Sequence, residues 1–521
     1  MDSAPFNSLA QSRDIAGPGW LYERVAQQIS RLIEQGTLRP GERIPSVRKL
    51  VSQQSVSAAT VLQAYQLLES RGWIEARPQS GFYVRARRRL QPPQPAISQP
   101  PAGSRQLNMA ALVMEVVGAL SQPGLVNLGA AVPPPELLPT RELHRALASA
   151  ARRHPVLANT CDPGRGLLPL RVEIARQAME AGCSLSPDDI VVMNGTTEAL
   201  HLCLRAVTCP GDTVAVESPT YFGILQVIEM LGLRVCEVPT SPEEGVCLEE
   251  LSARLTRARV KACVFMPNYS NPLGSCMPEE NKRKLVELLA DRGIPLIEDD
   301  IYGSLAFGAN RPHAAKAFDT QGLVLLCGSL TKTLAPGYRI GWAAPGRFTE
   351  NVHRLKHTSS LGNPTVTQLA AAEFLATGGY DRHLRHLRRA YAVLMEQMSQ
   401  SVARHFPPST RLSRPQGGQV LWVELPEEIE ALTLHRLALA SGISIAPGPI
   451  FSPRQQNTNC FRLNFANPWS DKIEEAVATL ARIVDRGACT TKRRGTGRAF
   501  RDPAQRSAGR SQAAGSGRKR L

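Results

Sequence analysis

The stretch from residue 323 to residue 342 reads LVLLCGSLTKTLAPGYRIGW and joins a short apolar run to a cluster of polar side chains. The apolar run, Leu323–Cys327, has the length and composition of a buried strand. A serine, a lysine and an arginine follow it, namely Ser329, Lys332 and Arg339. Because ligands of open α/β sheets bind beyond the carboxyl ends of the strands, these three side chains are candidates for a binding site.

Four similar runs precede this stretch, and helical patterns separate them. Strands are predicted over Ile190–Met193, Thr213–Glu217, Ala262–Met266 and Pro295–Glu298, with helices such as Thr197–Ala206 and Glu279–Arg292 between them. Such alternation predicts a mostly parallel sheet with helices on both faces. The large part of the chain, residues 109–487, is therefore predicted to be an α/β domain.

Polar residues also follow the other strands, and together they match what pyridoxal phosphate needs. NGTTEAL places Gly195, Thr196 and Thr197 at the start of a helix, where backbone amides can hold a phosphate. The later strands lead to Tyr221 in ESPTYFG, Asn271 in PNYSNPLG, and Asp299 and Tyr302 in IEDDIYG. The cofactor requires an amine, an acid facing the ring nitrogen, donors to the ring hydroxyl and a cationic phosphate site. Taken alone, Lys332 could equally be a plain phosphate-binding lysine.

The order and wording of these segments resemble the fold type I aminotransferases over roughly residues 128–485. The resemblance implies that Lys332 forms the Schiff base with pyridoxal 5'-phosphate and that Asp299 faces the pyridine nitrogen. The other implied contacts to the cofactor come from Asn271 and Tyr302 at the ring hydroxyl, Tyr221 stacked on the ring, and Gly195, Thr196, Ser329 and Arg339 at the phosphate.

Two further positions bear on this resemblance. In NCFRLNFA, Arg462 matches the arginine that binds the α-carboxylate of an amino acid, a bidentate task suited to a guanidinium. The alternative for Arg462 is a surface ion-pair residue. In NTCDPGRGLLPLR, Cys161 or a neighbour stands where the family usually has a tyrosine that reaches the partner subunit's phosphate.

The first part of the chain, residues 19–86, predicts three helices and a β-hairpin. Apolar residues recur at helical spacing from Leu21 to Ile33, and Ser46 and Ser57 can cap the next two helices. The segment Trp73–Val84 reads as two short strands around a turn. This order is that of a winged helix-turn-helix, which reads DNA with the N-terminal residues of its recognition helix.

The motif G-x-L-x-P-G-x-R-I-P-S-x-R, followed by V-S-x-x-T-V-x-x-A-Y-x-x-L, resembles the GntR family of bacterial regulators. The family usually has arginine after the Val-Ser pair, whereas this chain has Ala58. The DNA-binding candidates are Arg43, Ser46, Arg48, Lys49, Ser57, Ala58, Thr60 and Arg77. Of these, Ser57, Ala58 and Thr60 are expected near the bases, and the arginines and lysine near phosphate. A helical domain that binds protein is the alternative.

The net charge of +16 is confined to the ends of the chain. Residues 19–89 carry +7 and residues 488–521 carry +9, which leaves the middle nearly neutral and suggests a polyanionic partner for the ends. Residues 1–18 are predicted to be flexible, the Pro- and Arg-rich residues 87–108 to be an extended linker, and residues 488–521 to be a disordered tail. The tail either binds a polyanion or only improves solubility.

The apolar runs and the cysteines indicate the cellular compartment. No apolar run is long enough to span a membrane, and charged residues occupy the place of a signal peptide, so we expect a cytoplasmic protein associated with the nucleoid. The eleven cysteines form no C-x-x-C pair, which predicts reduced thiols and no metal site.

The two domains together resemble the MocR subfamily of GntR regulators. The resemblance implies a homodimeric transcription factor, with exchanged DNA-binding heads, whose large domain binds pyridoxal phosphate, and an amino compound with it, as an effector. Two alternatives stay open. One is an active aminotransferase that carries a DNA-binding head, with residual transaminase activity as a weaker form. The other is a chromosome-binding protein held by its basic tail without sequence specificity.

Overall fold

The computed structural model describes residues 21–34, 37–39, 41–54, 56–70, 73–77, 80–84, 91–120, 124–308 and 310–487. The predicted N-terminal segment and basic tail lie outside these residues. The chain divides into two compact units, one ending at residue 90 and the other beginning at residue 91.

The first unit consists of three helices and a two-stranded hairpin. These elements are α1 (Leu21–Glu34), α2 (Val47–Gln54), α3 (Ala58–Ser70), β1 (Ile74–Arg77) and β2 (Gly81–Val84). Leu50, Val61 and Tyr65 are fully buried in its core, as the helical spacing predicts. The strands pair antiparallel, with Ile74 opposite Val84, so the unit has the order of a winged helix-turn-helix.

Two serines start the second and third helices. The Ser46 hydroxyl accepts a hydrogen bond from the Lys49 amide at 3.3 Å, and the Ser57 hydroxyl accepts one from the Thr60 amide at 3.1 Å. Each serine satisfies an amide that lacks a partner within its helix, which fixes where the helix begins.

The second unit contains fifteen of the labelled strands and twelve of the helices. The strands are β3 (Ser104–Gln106), β4 (Val126–Asn127), β5 (Val191–Met193), β6 (Thr213–Ser218), β7 (Arg234–Ser241), β8 (Gly245–Val246), β9 (Val260–Phe265), β10 (Leu296–Asp299), β11 (Val324–Ser329), β12 (Gly341–Ala344), β13 (Arg411–Leu412), β14 (Val420–Glu424), β15 (Ile443–Ser444), β16 (Ala446–Pro447) and β17 (Cys460–Asn464). The helices are α4 (Ala110–Leu120), α5 (Thr140–Arg153), α6 (Leu168–Glu180), α7 (Thr196–Val207), α8 (Phe222–Met230), α9 (Leu248–Arg257), α10 (Glu279–Ala290), α11 (Thr349–Ser359), α12 (Thr365–Ala376), α13 (Gly379–His405), α14 (Ala431–Ala440) and α15 (Asp471–Asp485).

The main sheet has the strand order β3-β7-β6-β9-β10-β11-β12-β5, with β8 paired to β7. Within this order, the five strands β7, β6, β9, β10 and β11 run parallel to one another, which confirms the mostly parallel sheet. Successive residues of β6 face opposite sides, because Val214 and Val216 pack in one apolar cluster and Ala215 in another. The clusters contain residues of α7 and α8 on one side and of α9 and α10 on the other, so helices cover both faces.

A second sheet, in the order β13-β14-β17-β16, is built from the C-terminal part of the unit. Strands β14 and β17 are antiparallel, with Trp422 opposite Arg462. This pairing places Arg462 in the middle of a buried strand, where the exposed fraction of the residue is only 2%.

Residues 91–106, which we call the strap, fall within the predicted linker but pack against the second unit. The Leu412 amide donates to the Pro93 carbonyl at 2.8 Å, and the Ala96 amide donates to the Glu424 carboxylate at 2.9 Å. Farther along, the last three residues of the strap, β3, pair antiparallel with β7. Its hydrogen bonds to both sheets hold the segment in place.

The buried Arg254 of α9 binds the middle of the strap. Its guanidinium donates to the Pro100 carbonyl at 3.0 Å and to the Pro101 carbonyl at 3.3 Å. Proline has no amide with which to join a sheet, so the arginine supplies donors to a stretch that could not otherwise pair.

Replacing Arg254 with alanine is expected to release the strap locally. Loss of charge-assisted hydrogen bonds should lower the free energy of unfolding by about 1.5–3 kcal/mol and speed amide hydrogen exchange in residues 94–103. The Arg257→Ala variant, at an exposed position on the same helix, is the control and should change neither quantity. Equal exchange in the two variants would contradict this role of Arg254.

Candidate functional site

The ends of the parallel strands bring the predicted site residues to one edge of the main sheet. Asp299 is the last residue of β10, Ser329 is the last of β11, and Thr196 is the first of α7. Arg462 approaches from the second sheet. These residues therefore lie at the carboxyl ends of the strands, the edge at which open α/β sheets bind their ligands.

Lys332 points its amine into this site. Its Nζ donates to the Ala131 carbonyl at 2.6 Å. Although the residue as a whole is half-buried, desolvation of the amine lowers its pKa to about 8, and the nearby positive charges of Arg462 and Arg339 act in the same direction. The negative charge of Asp299 opposes this shift. The amine is therefore more easily deprotonated than that of an ordinary lysine.

Asp299 is a buried carboxylate at the bottom of the site. Burial raises its pKa to about 7, and the charge of neighbouring Asp300 adds to the shift, while the Ile301 amide and Lys332 oppose it. The Ile301 amide donates to Oδ1 at 3.2 Å. A carboxylate held this way is poised to accept a proton or to pair with a cation placed beside it.

The start of α7 and Arg339 form one wall of the site. Gly195 has a φ of 88°, a conformation that favours glycine, and a Cβ there would come within 2.6 Å of the Arg339 guanidinium. Arg339 is exposed and donates to the Asn194 carbonyl at 2.7 Å. A guanidinium, a helix N-terminus and a glycine without a side chain thus meet at one point, which suits an anion.

Hydroxyl groups on this wall differ in their partners. The Thr196 hydroxyl is buried and makes no hydrogen bond within the described residues. Ser329 donates to the Ile340 carbonyl at 2.8 Å and lies 2.6 Å from the Thr331 hydroxyl, whereas Thr197 is exposed. A buried hydroxyl without a partner costs free energy, so the Thr196 hydroxyl indicates a polar group that fills this place when bound.

Arg462 is a buried cation held by neutral groups. Nη1 donates to the Asn271 side-chain oxygen at 2.9 Å, Nη2 donates to the Gly129 carbonyl, and the guanidinium lies 5.1 Å from the centre of the Phe451 ring. Among the described residues no carboxylate forms an ion pair with it, and its Nε has no acceptor. Burial lowers its pKa. This arrangement excludes the surface ion-pair alternative and leaves the charge without an anionic partner among the described residues.

Asn271 and two tyrosines complete the surroundings. Because Asn271 gives its oxygen to Arg462, its amide nitrogen is left to donate elsewhere. Tyr302 is fully buried, and burial raises the pKa of its hydroxyl, so it stays a hydrogen-bond donor at neutral pH. Tyr221 is half-buried, with its ring over Gly223, and its pKa is also raised by burial.

A buried polar network behind the arginine and glycine wall was missed by the sequence analysis. Lys356 donates to the Asn363 side-chain oxygen at 2.7 Å, and Asn363 donates to that of Asn194 at 2.9 Å. The Asn194 side chain donates in turn to Glu198. Asn194 directly precedes Gly195 and could have been singled out, but Lys356 and Asn363 carry no local signal. Cys161 is exposed and lies near Gly362.

The candidate DNA-contacting residues of the first unit lie mostly on its surface. Arg43, Arg48 and Lys49 are exposed. Arg77 is half-exposed, pairs with Glu75 at 2.8 Å and lies 4.4 Å from the centre of the Tyr83 ring. Its charge is therefore partly engaged, whereas the other three cations are available to an anionic partner.

The remaining DNA-binding candidates lie at the starts of α2 and α3. Ser46 and Ser57 are exposed as well as acting as helix caps, and Ala58 is exposed. The Thr60 hydroxyl is 2.8 Å from that of Ser57.

Within the described residues, none of the helices is both long and apolar enough to cross a membrane.

Comparison with known families agrees with both units. The profile of the aminotransferase class I and II family matches residues 125–480, and that of the gntR family of bacterial regulatory proteins matches residues 21–84. A helix-turn-helix of the second family binds DNA, and members of the first use pyridoxal phosphate as cofactor.

Full-length relatives share both parts. The HTH-type transcriptional regulator YdcR of Escherichia coli is 39% identical over 89% of this chain and 98% of its own length. The HTH-type transcriptional regulator TauR of Rhodobacter capsulatus is 28% identical over 90% of this chain and 97% of its own.

Solved structures match the large unit. The α-aminoadipate aminotransferase LysN of Thermus thermophilus, complexed with N-(5'-phosphopyridoxyl)-L-leucine, aligns with a TM-score of 0.66 and 27% identity over 73% of this chain and 99% of its own. The kynurenine aminotransferase of Pyrococcus horikoshii, in complex with PMP, aligns with a TM-score of 0.68 and 28% identity over 72% of this chain and 95% of its own. The chain therefore belongs to the MocR-type transcriptional regulators, in which a GntR-family DNA-binding domain is joined to an aminotransferase class I and II domain of fold type I.

Proposed function

We propose that the regulator binds promoter DNA through its first unit and uses pyridoxal 5'-phosphate, together with an amino compound that reaches Arg462, as an effector in its second unit. The observation that carries the proposal is the buried Arg462, a cation that has no ion-pair partner among the described residues and lies near a desolvated lysine and a buried carboxylate. A buried charge without an ion-pair partner costs desolvation free energy, so its presence here indicates that it binds an anionic ligand.

Each residue of the site has a task in this proposal. When bound, pyridoxal phosphate supplies an aldehyde that reacts with amines and a ring that withdraws electrons. Lys332 attaches the cofactor, and Asp299 holds a proton on the ring nitrogen. The remaining contacts divide between Asn271, Tyr302 and Tyr221 at the ring and Gly195, Thr196, Thr197, Ser329 and Arg339 at the phosphate.

The pKa of Lys332 sets the pH range in which the cofactor attaches. Only the neutral amine can attack an aldehyde, so the attachment rate should rise about tenfold per pH unit below pH 8 and level off above it. The Asp299→Asn variant removes a charge that raises the lysine pKa and should move the midpoint to lower pH. The rise in absorbance after mixing apoprotein with cofactor measures both. A midpoint near that of free lysine would contradict the desolvation of Lys332.

In the DNA-binding unit, the cations and the start of α3 have separate tasks. Arg43, Arg48 and Lys49, with Arg77 on the hairpin, bind phosphates and so position the unit. The exposed start of α3, with Ser57, Ala58 and Thr60, approaches the base edges, and Ser46 contacts DNA from the start of α2.

The active form in this proposal is a homodimer in the cytoplasm, bound at the nucleoid. Exposed apolar side chains occur on segments that border the site, with exposed fractions of 47% for Val132, 75% for Val156 and 43% for Leu361. A second copy would cover these side chains and give two heads for two half-sites. Light scattering of the purified protein tests the stoichiometry.

The experiment that tests the effector role has four arms. Promoter DNA is titrated with wild type and with Lys332→Ala, each with and without pyridoxal phosphate, and the footprints are compared. An effector changes DNA affinity only if the two DNA-binding states bind it differently, so wild type should respond to the cofactor and the variant should not. Identical affinities and footprints in all four arms would overturn the proposal.

A working aminotransferase is the second candidate, since Lys332, Asp299 and Arg462 are all in place and the structural neighbours are aminotransferases. Incubation with amino acids and keto acids separates the two functions. Rapid multiple turnover favours the enzyme, whereas binding of an amino acid with slow or no turnover favours the sensor.

A further inference from the structure

The exposed face of α3 is made of apolar and amide side chains. Ala58, Ala59, Leu62, Gln63 and Gln66 are all exposed, with 45% of Leu62 accessible to solvent. Their spacing of one, three and four positions places them on one face of the helix, opposite the buried Val61 and Tyr65 side chains. Most of these residues lie in the N-terminal half of the helix, which is the part that a helix-turn-helix presents to base edges.

This face carries neither arginine nor lysine, the side chains that usually read guanine. The one charged residue of α3 is Glu69, whose carboxylate accepts the Ala76 amide at 2.9 Å near the end of the helix. Guanine is read most often by arginine or lysine bidentate to its O6 and N7. The available cations Arg48 and Lys49 lie on α2, where they suit phosphates, which carry no sequence information.

The hydroxyls at the start of the helix also stabilise its first turn. The Ser57 oxygen accepts the Thr60 amide and lies 2.8 Å from the Thr60 hydroxyl, so both groups take part in the N-terminal cap. Beyond this first turn, the exposed face offers methyl groups and glutamine amides to the base pairs.

We propose that α3 reads A·T base pairs in the major groove. Ala58, Ala59 and Leu62 pack against thymine methyl groups, and Gln63 makes a bidentate pair with the N6 and N7 of adenine. The inference rests on the proposed DNA-binding function and deepens it, because it names the base pairs that the regulator selects.

The first experiment selects bound duplexes from a random-sequence library with the full-length protein. Enriched half-sites should carry A·T pairs at the positions that α3 covers. Those positions are located by replacing single thymines with uracil, which removes only the C5 methyl group. At thymines under Ala58 and Ala59, this replacement should weaken binding several-fold, while uracil outside the half-sites should leave it unchanged.

Three variants then test the individual side chains. Gln63→Ala should reduce the preference for adenine at one position per half-site by roughly 5- to 150-fold, the range of a bidentate pair. Ala58→Arg should create a preference for guanine at one position per half-site. The matched control is Gln27→Ala, an exposed glutamine on α1, which should leave the selected sequence unchanged. Affinity for non-specific DNA at low salt shows whether each variant still folds and binds.

The outcomes separate this inference from the function on which it rests. Enrichment of G·C pairs under α3, no effect of uracil, or an unchanged preference in Gln63→Ala would overturn the A·T reading while leaving DNA binding intact. Failure of the wild-type protein to select any sequence would overturn sequence-specific DNA binding itself, and the A·T reading with it.

Discussion

Replacing Lys332 with alanine is expected to abolish retention of pyridoxal phosphate during dialysis. In the proposed site, the cofactor would be held by a covalent link to Nζ and by non-covalent contacts to its ring and phosphate, and the variant removes the link. The remaining contacts can bind the cofactor only reversibly. The measurement is the absorbance of bound cofactor before and after dialysis, together with mass spectrometry of peptides after reduction with borohydride.

The chain offers a matched control for this variant. Lys356 is also a buried lysine near the site, and burial lowers its pKa as it does that of Lys332. Its amine, however, is bound to Asn363 at 2.7 Å, away from the end of β11. The Lys356→Met variant should therefore keep the covalent cofactor. Labelled peptides that contain Lys356, or retention of cofactor by Lys332→Ala, would contradict the assignment.

The sequence predicts the main sheet and the residues at its strand ends because both depend on local patterns. Short apolar runs mark the strands. Asp299 is the last residue of β10, and Ser329 is the last residue of β11. Strands β7 and β12, by contrast, were not predicted. Strand β7 pairs parallel with β6, whereas β12 lies between β11 and β5 and pairs antiparallel with both. Its four residues, GWAA, contain a glycine and two alanines, a composition without a strand pattern.

The features that could not be predicted depend on contacts between distant parts of the chain. Arg254 meets the strap across more than 150 positions of sequence, and nothing near either segment indicates the contact. The Ala131 and Gly129 carbonyls bind Lys332 and Arg462 through backbone atoms, which any residue possesses. The composition of prolines and arginines predicts an extended linker, but composition does not reveal that such a segment packs against the large domain.

Replacing Arg462 with methionine is expected to separate stability from ligand binding. In the apoprotein the guanidinium carries the desolvation cost of a buried charge without an ion-pair partner, and methionine removes that cost. The Asn271 oxygen and the Gly129 carbonyl lose a donor in the variant, which costs about 1–3 kcal/mol for each group. Since the desolvation cost is of a similar size, the free energy of unfolding of the apoprotein should change little or increase, as measured in urea.

The affinity of the same variant for an amino acid should fall roughly 30- to 5,000-fold, because truncating one partner of a buried charged contact costs about 2–5 kcal/mol. Arg462→Lys keeps the charge but loses the bidentate geometry and should give an intermediate loss. A primary amine without a carboxylate provides the control ligand, since it reaches the cofactor without needing Arg462. Equal loss of affinity for the amine and for the amino acid would contradict this role. Arg462 would then contact the cofactor rather than the carboxylate of the amino acid.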